Sequence, residues 1–346
     1  MNPSPTIKTL AEMAGVSTAT VSLALRNHPR ISLKVRERIQ QIATKAGYQA
    51  NPIVANLFAQ LRQSKAVTFK STLGLLYLGK NPEYLKTVPT YREWLTGCTE
   101  RASSLGYGLD SFSLNKSEIS PQRILRILNA RGITGLMLIG PFENNTIQAE
   151  LDPVWQRSAA IVLGVRPIHP ALTFVSNDQF ATIENAMDEL FLLGYKRPGL
   201  CIHPHVDNAV EKRFSGGFYV SQSTLPPKSR IPIFAYESGA GEQFKLWINQ
   251  HRPDAILTLH CEIEAWIKSM GLRIPRDIGL VHLDKSSGIE WAGMQQNNEY
   301  LGRAAVDMVI GQLHRSEYGI PPFQKSVFIT STWSPGPTLR IQVTTR

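Results

Sequence analysis

The stretch Ile7-Lys-Thr-Leu-Ala-Glu-Met-Ala-Gly-Val-Ser-Thr-Ala-Thr-Val-Ser-Leu-Ala-Leu-Arg26 decides the fold at the start of this chain. Its apolar residues recur at helical spacing as far as Ala14, and Gly15 then interrupts the pattern. Ser17 is predicted to cap a second helix, because its hydroxyl can accept a backbone N–H. Two short helices joined by a tight glycine turn predict a helix-turn-helix, which presents its second helix to a DNA major groove.

The second of these helices carries its apolar side chains on one side. We expect the opposite face to read base edges, with Thr18, Ala19, Ser22 and Leu23 as the candidate side chains.

A third helix is predicted after Ser32, where an apolar stripe follows helical spacing (Val35, Ile39, Ile42, Ala46). Three such helices enclose a small core that is only marginally stable alone. The next apolar segment, Ile53–Leu61, is too short to be a stable helix in isolation and needs a partner such as DNA or a second copy of itself. We therefore predict a DNA-binding domain over 6–61, with a hinge helix over 53–61, and then a linker over 62–72.

Basic residues are concentrated at this end of the chain. Residues 1–65 hold nine Lys or Arg but only two acidic residues, Glu12 and Glu37, so this segment supplies seven of the ten net positive charges. A cationic end is typical of a phosphate-binding module. The alternative, a solvated basic helix face around 34–38, is the minor interpretation beside a helix-turn-helix pattern.

From Leu73 onward, short apolar strands alternate with amphipathic helices. This pattern indicates parallel sheets covered on both faces, and ligands of such sheets bind outside the carboxyl ends of the strands. Two α/β lobes facing each other would place those ends around one cleft. The predicted strands are Leu73–Leu78, Gly135–Ile139, Ala159–Leu163, Gly199–Ile202, Ala255–Leu259 and Ile278–Leu283, and the predicted helices are Arg92–Leu105, Pro121–Ala130, Phe180–Leu193, Gln243–Gln250 and Tyr300–Leu313.

The composition indicates a soluble protein. No apolar run approaches the roughly 20 residues of a membrane span, and the first residues lack the charged start and apolar stretch of a secretory signal. The chain has three cysteines, Cys98, Cys201 and Cys261, and such a sparse, odd set favours a reducing compartment over a disulfide framework. We expect a cytoplasmic protein.

Enzyme signatures are missing from the sequence: it contains no nucleophile elbow, no dinucleotide fingerprint and no phosphate loop. His203-Pro-His205 and Asp207 resemble half of a metal site, with His260-Cys-Glu262 as further candidates. A spaced second pair is not evident, so a polar loop at the cleft mouth is the favoured alternative. We expect no enzymatic activity, no cofactor and no bound metal.

The chain, and above all its helix-turn-helix stretch, resembles the lactose-repressor (LacI) family of bacterial transcription regulators from about Thr6 to Arg340. The resemblance implies a body over 73–340 like that of periplasmic sugar-binding proteins, with crossovers between its two subdomains near 164–175, 284–297 and 320–328. It also implies a homodimer on a palindromic double-stranded operator, controlled by a small effector in the cleft. The densest similarity lies in Thr6–Leu25, Pro29–Arg36 and Gly47–Asn51, with weaker similarity in Leu193–Leu200, Ile274–Asp284 and Leu301–Val306.

By position, the resemblance assigns three kinds of DNA contact. Leu23 has no hydrogen-bonding group in its side chain, and Thr18 and Ala19 offer methyl groups, so we expect apolar contact and DNA shape to dominate the readout. The assigned residues are Thr18, Ala19, Leu23 and Arg30 for base reading, Ser17, Thr20, Ser22, Ser32, Tyr48 and Asn51 for phosphates, and Leu57 for the minor groove at the hinge.

The resemblance also assigns effector contacts near the ends of the body strands. Some alternatives stay open: Tyr91 as a packing residue, Asp178 as a helix cap and Asp284 as an interlobe group. Acidic, amide and guanidinium groups above an aromatic floor suit a polyhydroxylated ligand, so we expect a sugar or a sugar derivative. The assigned residues are Tyr91, Asp178, Arg213, Asp284 and Gln296, with Asn297 and Trp291 as neighbours.

Repression is the commoner mode of control in this family, and it is the mode we expect. Activation or dual control stays open, because it depends on where the operator lies. A sugar-binding receptor without DNA function is a remote alternative, disfavoured by the basic N-terminal region.

Overall fold

The computed structural model describes residues 6–25, 28–46, 48, 71–79, 81–114, 120–140, 143–286 and 288–342. The predicted hinge helix 53–61 with Leu57 lies outside the described residues, as do Asn51 and the side chain of Ser22. Most of the predicted linker also lies outside them, but its last two residues, Ser71 and Thr72, already belong to the first strand of the body.

The N-terminal region consists of three helices, α1 (Ile7–Ala14), α2 (Thr18–Leu25) and α3 (Leu33–Lys45). Gly15 ends α1 with a φ of 63°, a left-handed conformation that glycine adopts without steric cost. The Ser17 hydroxyl accepts a hydrogen bond from the Thr20 backbone N–H at 3.1 Å, which confirms the predicted cap of α2. The chain therefore turns sharply between the first two helices.

The core of this region is small and apolar. Leu10, Val21, Ala24 and Ile39 are fully buried at its centre. The rest of the predicted α3 stripe packs against them in partly buried positions. The Arg38 guanidinium closes one side by donating a hydrogen bond to the Ala14 carbonyl at 2.8 Å. The three helices thus bury one face each, and α2 keeps its other face for solvent.

The body consists of alternating strands and helices. In chain order they are β1 (Ser71–Tyr77), α4 (Tyr84–Thr87), α5 (Pro89–Ser104), β2 (Tyr107–Ser113), α6 (Pro121–Arg131), β3 (Gly135–Ile139), α7 (Asp152–Trp155), β4 (Ala159–Leu163), β5 (Thr173–Asn177), α8 (Gln179–Leu192), β6 (Pro198–Ile202), α9 (Pro204–Ala209), α10 (Arg213–Ser223), β7 (Phe234–Ala235), α11 (Gly241–His251), β8 (Ala255–Thr258), α12 (Glu262–Ser269), β9 (Gly279–His282), β10 (Ala292–Gln295), α13 (Asn298–Arg315), β11 (Ser326–Ile329) and β12 (Thr332–Ser334).

The strands form two six-stranded sheets within the described residues, one in each lobe. The first has the order β11-β5-β4-β3-β1-β2 and the second the order β12-β10-β9-β8-β6-β7. Every pair is parallel except β10 with β12. Strands such as β3 and β4 are buried along their whole length, because helices cover both faces of each sheet.

The chain passes between the two lobes three times. It crosses at Asp178 between β5 and α8, at Gln296 and Asn297 between β10 and α13, and at Thr330 and Ser331 between β11 and β12. The ranges expected from the sequence, 164–175 and 320–328, end before the first and third of these points, because β5 and β11 still belong to the first sheet. All three crossings lie at carboxyl ends of strands, so they bring the polar residues that follow those strands together.

All predicted strands and helices of the body are present, with ends that differ by up to three residues. The sequence pattern missed the short or partly polar strands β2, β5, β7, β10, β11 and β12, and it missed the helices α4, α7, α9, α10 and α12. No helix in the described part of the chain combines the length and the apolar character that crossing a membrane requires.

Candidate functional site

The free face of α2 is the first candidate site. Thr18 and Ala19 are exposed at its first turn and Leu23 is half-buried one turn later, whereas Val21 and Ala24 on the opposite face are buried. The predicted base-reading side chains therefore lie on the surface of the N-terminal region. Their spacing on one helix face matches what a helix needs to reach the bases of a major groove.

The residues predicted to contact phosphates lie around this helix. Ser17 is exposed and its hydroxyl also bonds the Thr20 hydroxyl at 2.9 Å. Ser32 is exposed at the start of α3 and makes no side-chain capping bond. Arg30, which was predicted to read bases, is exposed in the loop before α3. Tyr48 is half-buried against the core of the three helices. Their phosphate contacts stay predictions.

The second candidate site lies where the carboxyl ends of the two sheets meet. The Thr90 hydroxyl of the first lobe donates to Asp284 of the second lobe at 3.0 Å. The Asn177 side chain donates to the Gln296 carbonyl at 2.8 Å. Four of the five predicted effector residues, Asp178, Arg213, Asp284 and Gln296, lie where the chain crosses or makes contacts between the lobes.

Asp284 follows β9 and is half-buried between the lobes. Burial raises the pKa of its carboxyl, and the like charge of Glu93 raises it further, while hydrogen bonds from Thr90 and Asn298 act in the opposite direction. The structure therefore gives Asp284 the interlobe contact that the sequence left open as an alternative. A ligand that donates a hydrogen bond to this carboxylate would compete with Thr90.

Asn298, which the sequence did not single out, is the centre of the polar network between the lobes. Its amide nitrogen donates to Glu93 at 3.0 Å and to Asp284 at 3.4 Å. Its amide oxygen accepts from Trp94 Nε1 at 3.1 Å and from Asn177 at 3.4 Å. Each donor and acceptor of this buried amide has a partner, which fixes α5 against the start of α13.

Asp178 and Arg213, predicted separately, form an ion pair at 2.7 Å. Asp178 also caps α8 by accepting from the Ala181 N–H at 3.2 Å, so the helix-cap alternative is present as well. The Arg213 guanidinium stacks on Phe328 of the first lobe at 4.4 Å from the ring centroid. Its Nε is buried and has no hydrogen-bond partner among the described residues. The guanidinium is therefore held in place with one donor still available.

Two further amides have an unpaired buried oxygen. Gln296 is 3% exposed and its Nε2 donates to the Leu283 carbonyl, but its Oε1 has no partner in the described structure. Gln179, at the start of α8, is 5% exposed and its Oε1 is likewise unpaired. A buried polar atom without a partner costs about 1–3 kcal/mol, so such atoms mark where a ligand gains hydrogen bonds.

The predicted effector residue Tyr91 and the two predicted neighbours of the effector site, Trp291 and Asn297, make contacts within the protein. Tyr91 lies 5.5 Å from Trp94 and 6.1 Å from Tyr77 between ring centroids, and burial raises the pKa of its phenol. Trp291 is buried in the second lobe beside His282. Asn297 donates to the Thr330 carbonyl at 2.9 Å, which joins two of the crossings. Tyr91 and Trp291 thus make packing contacts, and the ligand roles of these residues stay predictions.

Three histidines, here called the histidine row, follow adjacent strands of the second sheet: His203 after β6, His260 after β8 and His282 at the end of β9. The sequence had noted two of them as half of a metal site. No group of three or more His, Cys, Asp or Glu side chains within the described residues has the geometry to hold a metal ion. The row lies on the same sheet edge as Asp284, with His203 and His282 buried.

The histidine row should make folding stability depend on pH. Burial lowers the pKa of His282 from 6.5 to about 4, so the folded protein keeps this ring neutral where the unfolded chain protonates it. Its contribution to stability is therefore present above pH 6.5 and lost as the pH falls towards 4, by at most about 3 kcal/mol. Urea unfolding at pH 7.5 and 4.5, followed by tryptophan fluorescence, measures the loss.

A non-titrating variant tests the assignment of this pH dependence. His282→Asn keeps an acceptor for the Asp284 N–H, which donates to His282 Nδ1 at 3.2 Å, and should show a smaller loss of stability in acid. His169→Asn changes an exposed histidine and should behave as the unmodified protein does. Equal acid sensitivity in His282→Asn and the unmodified protein would contradict the assignment.

Family models match both parts of the chain. The model for bacterial regulatory proteins of the lacI family matches residues 6–51, and the model for a periplasmic binding protein-like domain matches residues 187–336. In both of these parts the chain is similar to regulators of the lacI family. It is therefore a DNA-binding regulator of transcription with a periplasmic-binding-protein-like body, as the resemblance implied.

Relatives in the LacI family match over most of their length. The transcriptional repressor CytR of Escherichia coli (strain K12) is 23% identical over 338 residues, which cover 91% of this chain and 91% of CytR. The lac repressor dimer bound to operator and the anti-inducer ONPF has a TM-score of 0.58 at 17% identity, covering 98% of this chain and all of that chain. A complex of the regulator CelR with cellobiose has a TM-score of 0.58 at 16% identity, and the match covers 96% of this chain and 99% of the CelR chain. These structures share the fold.

Proposed function

We propose that the chain is a repressor that binds a palindromic operator as a homodimer and is controlled by a carbohydrate effector bound between the lobes. The observation that carries the proposal is that one chain contains two separate candidate binding surfaces. One is the exposed α2 face with Thr18 and Ala19, and the other is the polar interlobe surface with Asp178, Arg213 and Gln296.

The proposed operator contact uses α2 for the bases and its surroundings for phosphates. The basic N-terminal region supplies charge for the DNA backbone, which makes binding strongly salt-dependent. A symmetric dimer presents two copies of α2 to two half-sites, so the operator should be palindromic. The relative crystallised as an operator-bound dimer supports this arrangement.

The proposed effector contacts are hydrogen bonds to Asp284, Gln296 and the free Nε of Arg213. Both hydrogen-bond donors and hydrogen-bond acceptors are present at this surface, as recognition of a polyhydroxylated ligand requires. The relative bound to cellobiose supports a carbohydrate in the same type of body. Because the effector would contact both lobes, it would favour one of their relative positions and thereby change the operator affinity.

The proposal is tested by selecting bound sites from random DNA duplexes, with and without each member of a panel of neutral and amino sugars. We expect enrichment of a palindrome, loss of retention at high salt, and a shift in bound fraction with at least one saccharide. Retention of duplexes without sequence preference would contradict the proposed operator function. Enrichment that no saccharide alters would contradict the proposed effector.

Substituting Leu23 should change which operator is preferred. In Leu23→Arg, the new guanidinium can bond the O6 and N7 atoms of guanine, and a good bidentate pair is worth about 1–3 kcal/mol of discrimination. We expect selection to enrich guanine at one position of each half-site. Leu33→Arg adds the same charge at a residue of α3 that is 65% exposed, and it should raise affinity without changing preference. An unchanged preference in Leu23→Arg would remove Leu23 from the reading face.

A further inference from the structure

The histidine row has a defined proton arrangement at His203. Its Nδ1 lies 2.7 Å from the Tyr236 carbonyl oxygen. Because a carbonyl can only accept, Nδ1 must carry a proton, and in the neutral form of the ring the lone pair is then on Nε2. This Nε2 lies 3.6 Å from the Glu262 carboxylate. Two acceptors therefore face each other at the start of α12.

His260 adds a third unpaired atom beside this pair. Its ring centroid is 4.2 Å from that of His203, and its buried Nε2 has no hydrogen-bond partner in the described structure. Burial, together with the neighbouring His203 and His282, lowers the pKa of His260 to about 4. The ring is therefore neutral near pH 7 and does not supply the positive charge that Glu262 lacks.

Three cations of the surrounding surface have partners other than Glu262. Arg213 pairs with Asp178, Arg166 pairs with Glu211 at 2.9 Å, and the Lys285 ammonium donates to Ser334 at 2.9 Å. Among the described residues, no Lys or Arg forms an ion pair with Glu262, and the basic side chain that faces it at 3.6 Å is His203. Two residues further along α12, Glu264 does have such a partner, Lys268 at 2.8 Å.

We propose that Glu262 and His203 together bind an ammonium group of the effector, which makes the effector an amino-bearing sugar. This inference rests on the proposed function. An ammonium offers three donors and a positive charge, and one nitrogen can reach both acceptors at ordinary hydrogen-bond distances, since they are 3.6 Å apart. Hydrogen bonds between ionised groups are stronger than neutral ones, so the amine would dominate selectivity at this end of the surface.

Other occupants fit these atoms less well. An anionic effector would face the carboxylates of Glu262 and Asp284 and be repelled by both. A metal ion would need a set of three or more ligands, which the described residues do not provide here. A neutral sugar hydroxyl can donate to one acceptor, but it brings no positive charge to the Glu262 carboxylate.

Calorimetric titration with matched pairs of probes tests the proposal on the full chain. The pairs are glucosamine with glucose, galactosamine with galactose, and the β-1,4 glucosamine dimer with cellobiose. We expect at least one amine to bind at least 10-fold more tightly than its neutral partner. Glu262→Gln should reduce that preference to within about 2-fold without weakening the neutral partner. Glu264→Gln, the matched control, removes a carboxylate already paired with Lys268 and should preserve the preference.

The outcomes separate this inference from the proposed function. Neutral sugars that bind as tightly as their amines would overturn the ammonium site and leave the carbohydrate effector intact. An amine preference that survives Glu262→Gln would overturn the assignment to Glu262 and His203. Absence of binding by every sugar in the panel would overturn the carbohydrate effector and the ammonium site together.

Discussion

Arg213→Gln is expected to remove effector control while operator binding stays unchanged. The guanidinium is fixed by its bond to Asp178 and by stacking on Phe328, and its buried Nε is free to donate to a ligand. Hydrogen bonds from charged groups are worth about 1.5–3 kcal/mol, so effector affinity should fall roughly 10- to 100-fold. Operator binding should persist, because Arg213 belongs to the second lobe and not to the three N-terminal helices.

The measurement is a titration of operator-bound protein with the saccharide found by selection, followed by fluorescence anisotropy of labelled DNA. Lys212→Gln is the matched control, since it removes the same charge from an exposed neighbour. We expect Lys212→Gln to respond at the concentration that the unmodified protein requires. A normal response in Arg213→Gln would place Arg213 outside the effector site.

The N-terminal region could be predicted from sequence because its signals are local. The interruption at Gly15 and the cap at Ser17 act within a few residues, and both appear in the structure as expected. Strands β2 and β5 could not be predicted in this way, since their side chains are not continuously apolar. Polar residues of β5, such as Ser176 and Asn177, are buried because the sheet and the other lobe supply their partners.

The interlobe site was only partly predictable, for a related reason. A residue after a strand is a candidate for the cleft, and this rule favoured Asp284, whereas Gln296 came from the family resemblance because strand β10 before it was not predicted. The rule gives no partners, so the pairing of Asp178 with Arg213 emerged only in the folded chain. Asn298 carries no sequence signal that distinguishes it from an ordinary residue at the start of a helix. Its role comes from four contacts to three other segments.

Those contacts suggest how the proposed effector would act on the lobes. Asp284 receives hydrogen bonds from Thr90 and Asn298, so a ligand that takes over this carboxylate weakens a bond across the lobes. The ligand then binds more tightly to the lobe arrangement in which Asp284 is free of Thr90. It therefore shifts the equilibrium between lobe arrangements towards that one. Effector binding and lobe geometry would be coupled through this side chain.

The same network depends on the close crossing of α5 and α13. A Cβ atom at Gly302 would lie 2.8 Å from the backbone nitrogen of Cys98 and closer still to the Trp94 carbonyl oxygen. The Cys98 thiol also donates to the Gly302 carbonyl at 3.4 Å. Backbone atoms cannot rotate aside as a side chain can, so any residue larger than glycine forces the helices apart.

Gly302→Ala should therefore destabilise the body even though alanine favours helices by about 1 kcal/mol over glycine. Overpacking against rigid neighbours costs about 1–3 kcal/mol or more, and with Trp94 displaced the hydrogen bond to Asn298 is also lost. We expect a net loss of about 2–3 kcal/mol in the free energy of unfolding, measured in urea by tryptophan fluorescence. All six tryptophans lie in the body, so the signal reports this part of the chain.

Gly311→Ala on the same helix provides the matched control. There a Cβ atom would lie 3.1 Å from Nη1 of Arg315, the end of a long side chain that can move away. The helix preference of alanine should then prevail, and stability should stay equal or rise by up to about 1 kcal/mol. If both variants gained stability alike, the backbones of α5 and α13 would not approach as closely as described. The Trp94 and Asn298 contact would then need another explanation.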